Sequence, residues 1–132
     1  MRPLWLLLLV GCPSSSTHPQ CMVDTDCGTE VCARDGECLP PAEVHLVKLA
    51  WTIRGSAAST TTCAQSPDFY VQFDSPDPND SFGYEPVPCD QGQFTVDKLP
   101  KRYVQAEMGV GTLFLDAQPI DAMGQATFDL FP

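Results

Sequence analysis

Basic side chains are scarce in this 132-residue chain, which sets 7 Lys and Arg against 17 Asp and Glu for a formal charge of −10. Affinity for phosphate backbones comes mostly from clustered Lys and Arg, so no nucleic-acid partner is expected. Histidine is scarcer still, with only His18 and His45. A Ser, Cys or Thr nucleophile generally needs a base held beside it. His18 lies in a Ser- and Pro-rich stretch and His45 at the start of an alternating apolar segment, so no such pair is assembled. HExxH, a P-loop and a glycine-rich phosphate loop are all missing. The expectation is therefore a protein that is not an enzyme, with no catalytic residue, no metal and no cofactor. No apolar run approaches the about 20 residues of a spanning helix, and no long segment carries apolar residues at helical spacing.

What the chain does have is cysteine, seven in all, and enough apolar material (43%, with only 18% charged) to fill a core. One domain with an appendage is the size that 132 residues allow. Cysteine at this density points to an oxidising compartment. Disulfides consume cysteines in pairs, so one of the seven needs a separate role.

Met1-Arg2-Pro3 followed by the apolar run Leu4 to Val10 has the proportions of a signal-peptide core. The run closes on Leu9-Val10-Gly11-Cys12, which resembles the lipobox of bacterial lipoproteins. That resemblance implies cleavage after Gly11 and lipidation of Cys12, leaving six cysteines, an even number. It also implies a membrane partner, through two or three acyl chains that hold a protein without spanning the bilayer. With Pro13 after the anchor cysteine, the aspartate associated with inner-membrane retention is absent, so the expected location is the cell envelope, at the outer membrane of a Gram-negative bacterium. Residues 1–11 are thus read as signal peptide, and 12–20 as lipidated N-terminus and tether. PSSSTHPQ has no apolar period, and its eight residues reach at most about 25–30 Å.

Residues 21–41 form the next unit, with Cys21, Cys27, Cys32 and Cys38 separated by five, four and five residues. Eighteen residues cannot bury a useful core, so cross-links must substitute for it. Spacing alone leaves three pairings open. Zinc sites usually use cysteines in close two-residue-spaced pairs, and export favours oxidation, so disulfides are the expected state. Gly36 suits the tight turn before Cys38. The pattern resembles cysteine-rich segments near the N-termini of bacterial surface lipoproteins and, more loosely, Dickkopf-type modules. That resemblance implies pairing of Cys21 with Cys32 and of Cys27 with Cys38.

Residues 42–132 read as an all-β, antiparallel β-sandwich. His45, Val47, Leu49, Trp51 and Ile53 alternate with more polar neighbours, as do Phe69, Val71 and Phe73. Further strands are expected over Phe82–Val87, Gln93–Asp97, Arg102–Met108, Thr112–Asp116 and Ala126–Phe131, divided by turn formers such as Asp77-Pro78-Asn79-Asp80 and Met123-Gly124. Cys63 and Cys89 remain as a pair bracing this unit. Trp51-Thr52-Ile53, the two cysteines, and Leu99-Pro100 leading to Tyr103 resemble transthyretin-like or carboxypeptidase-regulatory-like sandwiches of exported bacterial proteins. Lys101-Arg102 takes the place of that family's glycine.

Between Arg54 and Lys98 there is no base, while Asp68, Asp74, Asp77, Asp80, Glu85 and Asp90 all fall inside the interval. Such a patch can steer a basic protein partner. The Asp74–Asp80 loop offers hard oxygen ligands, although not at EF-hand spacing. Asp and Asn also set turn geometry, the more economical reading of this loop and of Asp24 and Asp26. The chain is accordingly expected to be a non-catalytic, membrane-anchored lipoprotein serving as a binding or structural module. The alternative is a small secreted inhibitor or a calcium-dependent adhesion module using loop 74–80.

Overall fold

The computed structural model describes residues 20–132. The signal segment, Cys12 and His18 lie outside the described residues.

The cysteine-rich segment begins with a 3-10 turn, Asp24–Cys27, and continues into a two-stranded antiparallel ribbon of β1 (Val31–Cys32) and β2 (Cys38–Leu39). Gly36, at φ 86°, takes a conformation in the connecting turn that a Cβ would strain. Cys21 bonds Cys32 and Cys27 bonds Cys38, with Cα separations of 5.7 and 5.4 Å. The sulfurs of Cys21, Cys27 and Cys32 lie close together. As disulfides they have no thiolate to offer a metal.

A 3-10 turn, Pro41–Glu43, leads into eight further strands: β3 (Val44–Ile53), β4 (Ser56–Ala57), β5 (Asp68–Asp74), β6 (Ser81–Pro88), β7 (Gln93–Pro100), β8 (Gln105–Val110), β9 (Leu113–Pro119) and β10 (Gln125–Leu130). They make two sheets. In one, β3 lies between β10 and β7, with the short β4 beside the far end of β3. The other runs β6-β5-β8-β9 and is antiparallel throughout. The expected all-β sandwich is therefore the fold, and among the described residues no helix is long and apolar enough to cross a membrane.

Period-two alternation does the folding work. Val47, Leu49, Trp51 and Ile53 of β3 meet Phe69, Val71 and Phe73 of β5 in a core that also takes in Leu99, Met108, Phe128 and Leu130. Each such side chain, removed from water, contributes about 1.5–3 kcal/mol. Trp51 adds an edge-to-face contact with Phe69 (6.1 Å) and donates Nε1–H to the carbonyl of Cys89 (2.8 Å). Cys63 bonds Cys89 at this rim and ties the loop after β4 to the β6–β7 junction.

Two local expectations are corrected. The strand expected from Arg102 starts at Gln105, because Tyr103 N–H turns back onto Pro100 O and Val104 N–H is taken by Asp74 O. The pairing of β10 with β3 is parallel, since the link from β9 crosses to the other sheet and enters beside β3 in the same direction.

Candidate functional site

Four of the five ion pairs among the described residues join the cysteine-rich segment to the sandwich. Arg34 pairs with Asp97, and Lys98 Nζ donates to Asp24 Oδ1 at 2.8 Å. Arg102 is the hub. Its Nη1 reaches Glu37 Oε2 at 2.8 Å, its Nη2 reaches Asp35 Oδ2, and its Nε reaches Asp80 Oδ2 at 2.7 Å. Burial works against its charge, but the hydrogen bonds it donates to Asp80 and Asp35 hold its pKa above the ordinary guanidinium value. The same bond to Arg102 lowers the Asp80 carboxyl. A single backbone bond, Arg34 N–H to Lys98 O, reinforces the contact along the open edge of β7. The buried residues of the segment, Cys21, Cys32 and Ala33, stand outside the sandwich core cluster. Charge, not shared apolar burial, therefore docks this segment, and it shields an edge strand that would otherwise present unpaired groups.

The acidic loop is mostly spoken for. Asp80 serves Arg102 and receives the hydroxyl of Tyr103 at 2.9 Å. Asp77 Oδ1 accepts Asn79 N–H at 3.0 Å, and Asp74 Oδ1 accepts the side chain of Gln72 at 2.8 Å. Asp26 caps Met22 and Val23 N–H. These are turn-setting and docking contacts.

His45 lines an open groove of about 310 Å³ with Lys101, Tyr103, Val104, Ile120, Asp121 and Ala122. Its Nε2 is buried without a hydrogen-bond partner among the described residues, and burial, with Lys101 nearby, lowers its pKa. The only hydroxyl of that lining belongs to Tyr103, already held by Asp80.

The strands of the β6-β5-β8-β9 sheet carry −5 of the −11 charge of residues 20–132. None of its four strands contains Lys or Arg, while they carry Asp68, Asp74, Glu85, Glu107 and Asp116. Register places Tyr70, Gly109 and Phe114 in one row across β5, β8 and β9, and Gln72 with Glu107 in the next. The Tyr70 ring lies over Gly109 so closely that a Cβ there would come 2.5 Å from its Cζ. Its hydroxyl donates to Glu107 Oε1 at 2.6 Å. Burial, the Glu107 bond and the charges of Glu107 and Asp74 push the Tyr70 pKa up to about 12. Beside this row runs a shallow groove of about 370 Å³ touching Tyr70, Gln72, Gly83, Glu85, Gly111 and Thr112. Phe114, in the same row as Tyr70, is 54% exposed.

The base-free interval is visible in the sequence, whereas nothing local singles out Arg102, Tyr70 or Glu107. The absence of any base after Arg102 was the available signal. No protein-family model, no curated protein and no solved structure matches this chain.

Proposed function

We propose that this chain is an exported lipoprotein, held to the cell envelope by acyl chains on Cys12, whose sandwich serves as a non-catalytic binding module. The observation that carries this reading is the pairing of all six cysteines in the described residues as three disulfides, which fits an oxidising compartment and leaves Cys12 for the anchor. The lipobox-like Leu9-Val10-Gly11-Cys12 supplies the chemistry for that anchor. Likeness to transthyretin-like sandwiches belongs to the same reading. It is supported by two sheets with β3 between β7 and β10, by Leu99-Pro100 closing β7, and by Tyr103 buried just beyond.

Intact-mass analysis of the protein extracted from membranes tests it. The expected result is a chain beginning at Cys12 with a diacylglyceryl and acyl mass increment, lost in Cys12→Ala together with membrane retention. An unmodified N-terminus at any other residue overturns the anchor.

A further inference from the structure

We propose that the outward face of the β6-β5-β8-β9 sheet docks a cationic, amphipathic segment of a protein partner, with a Lys or Arg side chain over the Tyr70 ring and an apolar neighbour on Phe114. This deepens the binding-module reading and rests on it, while anchorage at Cys12 is a separate matter that the docking does not require.

Three features of the face converge. Its two rings are only partly covered, Tyr70 lining the groove and Phe114 half exposed. Gly109 leaves room for Tyr70 to lie flat, and Phe114 projects beside it, half exposed. An aromatic face attracts a cation within about 6 Å of its centroid, the more so when partly desolvated. Carboxylates then flank the rings. Glu107 sits one row away, bound to the Tyr70 hydroxyl, and Glu85 and Gln72 line the adjoining groove. A guanidinium or ammonium entering there meets hydrogen-bond acceptors at the groove wall. Finally, no base competes. Arg34 and Lys98 are committed to docking the cysteine-rich segment and Arg102 to its Asp35 and Glu37 and to Asp80 of the β5–β6 turn, and no Lys or Arg lies in the four strands themselves. A base-free face of this kind attracts a ligand of opposite charge. A neutral polyhydroxylated ligand would use the rings equally well but would make no use of four strands without a base. The charge therefore favours the cationic segment.

The experiment uses the full-length mature chain and titrates it with two synthetic ten-residue peptides, one alternating Lys and Leu, the other with every Lys replaced by Gln. A soluble neutral oligosaccharide is run in parallel, and amide shifts are followed by nuclear magnetic resonance. The Lys-Leu peptide is expected to bind, with shifts concentrated at Gly83, Gly109 and Phe114, and the Gln-Leu peptide and the sugar are not. Glu107→Gln combined with Glu85→Gln should weaken binding roughly tenfold, and Phe114→Ser roughly fivefold. The charge-matched control Asp90→Asn with Asp121→Asn should change it less than about twofold. Folding of each variant is read from its own spectrum, and Tyr70→Phe, which keeps the ring, should bind within about twofold of wild type. No binding of the Lys-Leu peptide overturns the proposal, as do equal binding of the Gln-Leu peptide, shifts spread over all acidic segments, an equal loss in the control, or binding of the sugar in its place. None of these outcomes touches the N-terminal mass that tests the anchor.

Discussion

Gly109 is a residue at which the sandwich has no room for a side chain. A methyl group there would meet the Tyr70 ring at 2.5 Å from Cζ and would press on the backbone oxygen of Leu113. A ring can tilt, but a carbonyl in a paired strand cannot retreat without breaking its ladder. Gly109→Ala is therefore expected to cost about 1–3 kcal/mol, the range for overpacking, read as a lower urea midpoint with an unchanged slope. A midpoint equal to wild type would show that the ring alone yields. His45 makes a different residue-scale claim. Burial, aided by Lys101, lowers its pKa from 6.5, so the folded chain resists a proton that the unfolded chain accepts. Where the unfolded state binds more protons, stability rises with pH. The histidine's contribution is thus neutral above pH 6.5 and destabilising as pH falls below it toward the lowered folded value. Urea midpoints measured at pH 7.5 and pH 5.0 should fall for the wild type and fall less for His45→Gln. Equal falls would locate the pH dependence elsewhere.

Among the elements, the cysteine-rich segment depends most on one side chain. Arg102→Gln leaves Asp35, Glu37 and Asp80 facing one another without their cation. The guanidinium is more than a third exposed, so solvent screening holds the expected loss to about 1–2 kcal/mol. Arg34→Gln, whose pair with Asp97 is about half exposed at both ends, should cost under about 1 kcal/mol. The loss should appear first as faster proteolysis in the link between Leu39 and Val44, with the two disulfides still keeping the segment folded. A link no more sensitive than wild type would mean that something other than charge docks it. How much of this was legible beforehand depended on range. The alternation of β3 and β5 is visible because an inner sheet face repeats every two residues, whatever its neighbours. The three pairings open to Cys21, Cys27, Cys32 and Cys38 could not be narrowed by spacing, since Cβ geometry selects among them. Arg102 lies 65 and 67 residues from Glu37 and Asp35, and Tyr70 lies 37 from Glu107. No local pattern encodes such contacts, and they follow only once β5, β7 and β8 are assembled. The start of β8 was misplaced for a related reason, because the turn at Lys101-Arg102 is fixed by bonds to Pro100 and Asp74 rather than by its own sequence.

Across the whole molecule two electrostatic effects oppose each other. All seventeen acids but only six of the seven bases lie in residues 20–132, Arg2 being the other, so this part carries a charge of −11. That excess repels itself and favours expansion, and salt relieves it. The pairs that dock the cysteine-rich segment are attractive, largely exposed, and weakened by the same salt, whose screening length is about 8 Å at physiological strength. The sandwich core owes its stability to apolar burial and to Cys63–Cys89, neither of which depends on screening at these concentrations. Raising sodium chloride from about 10 mM to about 300 mM should therefore lift the melting temperature of the sandwich by a few degrees, roughly 1 kcal/mol for a domain of this size. Over the same range, cleavage between Leu39 and Val44 should accelerate. One titrant moves two observables in opposite directions, because repulsion is spread over the molecule while attraction is concentrated at one boundary. If melting and cleavage both indicated tightening, the docking pairs would not be what holds the segment against β7. If both indicated loosening, the ion pairs would outweigh the self-repulsion of the entire acidic surface.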